Sequence, residues 1–187
     1  MEKEQLTAKK ITVLGIQGSG KTYLAKYISQ SYKSFVYSPH YKEWDDTKVY
    51  AYAIDSVKQF IADFPSMCAK IKELALSGKI NMFIIDEADL LFKSNYDIND
   101  ALNDLVLSHR HYGLALMFIT RRPQDIPTKI METCHFIFAF ALEGDNAIKK
   151  LNNIRSGFGE SVKTLKDNEF KFYIKEIGKE PILSDKI

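Results

Sequence analysis

The stretch Ile11-Thr-Val-Leu-Gly-Ile-Gln-Gly-Ser-Gly-Lys-Thr22 decides the fold. A short β-branched run ends in glycines at positions 15, 18 and 20, and Tyr23, Leu24, Tyr27 and Ile28 then recur at helical spacing. Residues 15–22 match G-x-x-x-x-G-K-[ST], a strand-to-helix turn whose glycines let the backbone wrap until successive amides face one point. The candidate nucleotide-binding residues are therefore Gly15, Gln17, Gly18, Ser19, Gly20, Lys21, Thr22 and Tyr23. Amides from Gln17 to Lys21 suit phosphate oxygens, the Lys21 ammonium suits the β- and γ-phosphates, and the Thr22 hydroxyl suits Mg²⁺.

Downstream, Met82-Phe-Ile-Ile-Asp-Glu87 is an apolar strand that delivers two acids at its C-terminal end. Asp86 is placed to hold Mg²⁺, and Glu87 to polarise a water for attack on the γ-phosphate. Asp89 suits either a further polar contact or, as the favoured reading, a cap of the next turn. A guanine-selecting Asn-Lys-x-Asp is absent, since Thr-Leu-Lys-Asp167 lacks the Asn, so ATP is favoured over GTP.

The chain has 187 residues, a formal net charge of +2 and 45% hydrophobic residues, which fits one ordinary globular domain. Near-neutral charge excludes nucleic-acid binding by bulk charge but not by a local basic patch. The longest apolar run, Phe136–Leu142, is far short of a membrane span, and the mixed-charge start Met1-Glu-Lys-Glu-Gln5 has no apolar stretch. The expectation is a protein that is not secreted, cytoplasmic in its host or associated with a virion. Cys68 and Cys134 read as small buried residues rather than a disulfide.

No linker or repeat interrupts the sequence. We expect a single domain over 1–187, with an N-terminal extension (1–10), a nucleotide-binding core (11–140) and a C-terminal helix and strands (141–187). Further strands are expected over 34–37, 48–54, 80–85, 114–120 and 135–140, and helices over Asp55–Phe64, Pro65–Ser77 and Ile98–His111. Pro65 suits a first helical turn and Gly78 a stop. This alternation predicts an α/β fold with a mostly parallel central sheet. Glu169–Lys175 alternates apolar with charged residues and, with Gly178 and Pro181-Ile-Leu, predicts a C-terminal hairpin or edge strand. The aromatics Tyr37, Tyr41, Trp44, Tyr50 and Tyr52 suit core and subunit packing better than base stacking. His109 and His111 have no acid at ligand spacing, and Lys149, Lys150 and Arg155 form a local positive region suited either to DNA phosphates or to a solvated helix face.

Of 26 basic residues only Arg110, Arg121, Arg122 and Arg155 are arginines. Three of them flank one strand, in Arg110-His-Tyr-Gly-Leu-Ala-Leu-Met-Phe-Ile-Thr-Arg-Arg-Pro-Gln-Asp-Ile-Pro127. Here the chain resembles the FtsK–HerA superfamily of DNA-pumping P-loop ATPases: Arg110 stands three before Gly113, Thr120-Arg121-Arg122-Pro123 follows the strand, and Pro-Gln-Asp-Ile-Pro comes after. The resemblance implies an ASCE-type three-layer sandwich in which the acid strand lies beside the arginine-flanked strand, not beside the phosphate-loop strand. It implies that Arg110 is a finger acting in trans and that Arg121 stands where the family's sensor glutamine falls. It also implies a ring, expected to be a hexamer, that moves double-stranded DNA. The small size is similar to the viral genome-packaging ATPases, with a capsid or portal-vertex protein as partner and no integral membrane segment. Two other readings stay open: a phage morphogenesis or secretion ATPase acting on protein at a membrane, and a nucleotide-dependent switch with little hydrolysis. For Arg110 the plainer role is a helix C-terminal cap, and for Arg122 a structural salt bridge.

Overall fold

A computed structural model describes residues 8–45, 49–92, 100–166 and 169–184. Its eight strands are β1 (Lys10–Leu14), β2 (Ser34–Tyr37), β3 (Tyr50–Ala51), β4 (Met82–Ile85), β5 (Ala115–Thr120), β6 (Phe136–Ala139), β7 (Phe172–Glu176) and β8 (Ile182–Ser184). They form one sheet in the order β3-β2-β4-β5-β1-β6-β7-β8. β1 to β6 run parallel, while β7 and β8 pair antiparallel at one edge as the C-terminal hairpin. Continuous burial along β1, β2, β4, β5 and β6 is what a parallel sheet covered on both faces requires. β5 separates β4 from β1, the order that the resemblance implies.

The register positions the chemistry. Leu14 pairs with Thr120 and Ile85 with Phe118, so the C-terminal ends of β1, β5 and β4 stand side by side. Gly15, Arg121 and Asp86 each follow one of these ends.

Helix α1 (Lys21–Ser29) covers one face of the sheet through Leu24, Ala25 and Ile28, joined there by Trp44. On the other face lie α2 (Val57–Leu76), α3 (Asp100–Ser108), α4 (Thr128–Glu132), α5 (Asp145–Ile154) and α6 (Phe158–Lys163). The C-terminal region thus holds two helices where one was expected. α3 runs into a 3₁₀ turn over His109–Tyr112 that closes at Gly113, whose φ is 61°; Ile98, the expected helix start, lies outside the described residues. Among the described residues, no helix is long and apolar enough to cross a membrane.

The two helices expected on either side of Pro65 are one. Phe60, Phe64, Met67, Cys68 and Ile71 make an unbroken buried stripe, whereas Pro65 and Ile61 face solvent. Water can solvate the Ile61 carbonyl that the proline leaves unpaired, and burial of the other face holds the helix through the breaker. Ser56 caps its start, accepting from the Gln59 amide at 3.1 Å, while the Gln59 side chain accepts from the Asp55 amide at 2.9 Å.

Candidate functional site: a phosphate cradle with two acids

The loop between β1 and α1 closes on the carbonyl of Ile16. That oxygen accepts from the Ser19 amide (3.3 Å), the Ser19 hydroxyl (2.8 Å) and the Lys21 ammonium (2.7 Å). Glycine is obligatory at 15, where a Cβ would lie 2.4 Å from Ser19 Oγ and 2.8 Å from Phe140 Cβ. Gly20, with φ 106°, caps α1 in a left-handed conformation. Among the described residues, no backbone acceptor reaches the amides of Gln17, Gly18, Gly20, Lys21 or Thr22. These free donors at the head of a nine-residue helix converge where an anion would sit. Lys21 is buried, which lowers its pKa, and the nearby charges of Glu87 and Asp86 oppose that only in part. A desolvated ammonium beside free amides fits a phosphate.

Asp86, only 6% exposed, follows β4 directly. One carboxylate oxygen accepts from Ser38 Oγ (3.0 Å) and Trp44 Nε1 (3.4 Å), and the other from the Glu87 amide (3.0 Å). Burial raises its pKa although these donors oppose it. A desolvated carboxylate held at a fixed angle suits a divalent cation. Glu87 takes φ 50°, rare for a residue with a long side chain, and meets Arg121 Nε at 3.2 Å. Burial, followed by the charge of Asp86, raises the Glu87 pKa; Arg121 pulls it back.

The sequence-predicted residues sort clearly. Residues 15–23, Asp86, Glu87 and Arg121 share the C-terminal edge of the sheet. Arg110 does not: it stands before β5 at the opposite edge, its Nη2 2.7 Å from His135 Nε2. Among the described residues it is the one arginine without a carboxylate partner. Arg122 forms the plain salt bridge, to Asp125 at 2.8 Å. Asp89 is not a cap. It accepts from Thr120 Oγ1 at 2.6 Å, and Thr120 accepts from the Arg122 amide at 2.9 Å, which pins the end of β5 to the turn after β4. The positive region at 149–155 is not assembled either, because Lys150 is buried on Thr128 Oγ1 and Arg155 pairs with Glu180. His109 is bonded to the Leu114 carbonyl, and the described residues contain no metal-binding cluster of histidine, cysteine and acid side chains. Both cysteines are free and buried; burial pushes the Cys68 thiol up to about 12 and the Cys134 thiol to about 11.

Sequence reasoning missed Ser38 and Trp44 as the donors that aim Asp86. Trp44 could not be found from pattern, because it comes from an isolated 3₁₀ turn (Tyr41–Trp44). Ser38 carried a faint signal, a hydroxyl directly after an apolar strand.

A family model described as AAA domain matches residues 5–124. No curated protein matches the sequence. The fold matches the genome packaging NTPase B204 from Sulfolobus turreted icosahedral virus 2, solved with ATP-gammaS, at TM-score 0.80 and 20% identity, over 96% of this chain and 98% of that one. It also matches the N-terminal domain of zonular occludens toxin from Neisseria meningitidis, at TM-score 0.59 and 12% identity over 97% and 94%. The cytoplasmic domain of the Type VII secretion ATPase EccC from Thermomonospora curvata matches at TM-score 0.71 and 12% identity, over 99% of this chain and 26% of that chain. At these identities the likeness is one of fold.

Proposed function

We propose, for a chain that belongs to the AAA domain family of P-loop ATPases, that it hydrolyses ATP with Mg²⁺ and drives double-stranded DNA through a ring of identical subunits, packaging a viral genome into a preformed capsid. The observation that carries the hydrolysis reading is the strand register, which puts the phosphate loop, Asp86, Glu87 and Arg121 at one sheet edge.

Each residue then has a task. The amides of 17–22 and Lys21 bind and orient the triphosphate, while Thr22 and Asp86 would hold Mg²⁺. The ion, when bound, supplies charge neutralisation between the phosphates. Glu87 takes the proton from the attacking water, and Arg121 holds that carboxylate ionised and in place until the phosphate competes for the guanidinium. Arg110 belongs to a different site. From the far edge of its own sheet it serves the nucleotide of a neighbouring subunit, which is why a ring, of six subunits in our reading, is needed.

The end-to-end fold likeness to a viral packaging NTPase of matching length supports DNA as the cargo and a capsid or portal-vertex protein as partner. The likeness to a secretion ATPase keeps protein cargo as the second reading. ATP turnover and oligomeric mass, measured with and without duplex DNA, separate them. Stimulation by DNA and a nucleotide-dependent ring are expected; turnover indifferent to DNA, with no oligomer, would refute the translocase reading.

A further inference from the structure

Phe170 stands two residues before β7, in the alternating stretch 169–175 but outside the strand that forms there. Its φ is 53°, in the left-handed region that bulky residues seldom occupy. The residue is 47% exposed, unlike Phe172 and Phe140, whose rings pack on each other at 4.8 Å and which are buried. A Cβ built on Gly20 would lie 3.4 Å from Phe170 Cδ1 and 3.2 Å from Phe140 Cε1, so the exposed ring lies against the last glycine of the phosphate loop. Burial of apolar surface does not account for a strained backbone that leaves the residue about half exposed.

The sheet order says which end of a nucleotide this ring meets. β4 and β5 deliver Asp86, Glu87 and Arg121 on one side of β1; β6 and β7 lie on the other. With the γ-phosphate toward the acids, the sugar and base extend toward β6 and β7, where Phe170 waits. On that side a cavity of about 470 Å³ opens between Ile16, Leu142, Ile148 and Leu165. Tyr23, 67% exposed, is three residues after Gly20 and so shares its side of the first turn of α1.

Resting on the nucleotide-binding reading above, we propose that Phe170 stacks on the purine base of the bound nucleotide, its backbone held in strain to present the ring over the phosphate loop. Stacking acts on the base and not on the phosphates, which defines the test: dissociation constants for ATP and for inorganic tripolyphosphate, measured by calorimetry on the full chain and its variants. Phe170→Ala should weaken ATP about tenfold and leave tripolyphosphate unchanged, and Phe170→Trp should restore ATP. Phe170→Gly should lose the same ATP affinity while melting no lower than Phe170→Ala, since glycine relieves the left-handed φ. Equal ATP affinity in the native and Phe170→Ala proteins would overturn the proposal. So would equal losses for ATP and tripolyphosphate, which would mark the ring as a support of the loop. If the native chain bound neither compound, the nucleotide reading itself would fall, and the stacking proposal with it.

Discussion

Replacing Ser38 by alanine tests how Asp86 is held. The hydroxyl donates to Asp86 Oδ2 at 3.0 Å and accepts from the His40 amide at 3.0 Å, and the residue is fully buried. Losing a bond to a buried charge costs about 2 kcal/mol and orphaning one amide about 1 kcal/mol, together about 3 kcal/mol. For a domain of this length, each kcal/mol shifts Tm by about 2–4 °C, so Ser38→Ala should melt about 6–12 °C lower. Trp44 is the sole tryptophan and its indole faces the same carboxylate, so intrinsic fluorescence follows both unfolding and events at Asp86. A cation on Asp86 offsets part of the missing donor. Mg²⁺ with ATP should therefore raise Tm further in Ser38→Ala than in the native protein. A Tm loss below about 1 °C would refute the account of Asp86 as a carboxylate dependent on its donors; equal Mg²⁺-ATP increments would refute the metal role.

Glu87→Gln should retain ATP in equilibrium binding and lower turnover about 10²–10⁴-fold, because the general base is lost. Only ionised Glu87 accepts a proton, and its pKa is raised by burial and by Asp86; turnover should thus climb with pH above the ordinary carboxylate range. Arg121→Ala removes the charge that lowers this pKa, so the acid limb of the pH–rate profile should move to higher pH. Arg110→Ala should bind ATP normally yet turn over slowly, and mixing it with Glu87→Gln subunits should recover activity if the arginine works across an interface; unimpaired turnover by Arg110→Ala alone would return it to a helix-cap role. Buried Cys68 and Cys134 should resist thiol reagents in the native state and react on unfolding, as timed absorbance assays would reveal.

The loop and the acid pair were legible because both are contiguous: their chemistry needs neighbours in sequence, and a buried parallel strand announces itself as an apolar run. The order of strands was not written in periodicity and came from the arginine-flanked pattern alone. Pro65 misled because a breaker is a local signal, whereas the stripe from Phe60 to Ile71 that overrides it is a tertiary one. Asp89 misled for a similar reason, since its partner Thr120 lies on another strand. Ser38 and Trp44 reach Asp86, and Phe170 reaches Gly20, from separate segments, and no spacing rule connects them.

In the proposed mechanism the 15–22 loop, Asp86 and Glu87 converge on one metal-bound triphosphate. A crystal structure with Mg²⁺ and a non-hydrolysable ATP analogue measures it directly. The account predicts phosphate oxygens on the amides of 17–22, the Lys21 ammonium moved from the Ile16 carbonyl to phosphate, and the ion beside Thr22 and Asp86. Phosphates bound elsewhere, with Lys21 still on Ile16, would contradict it.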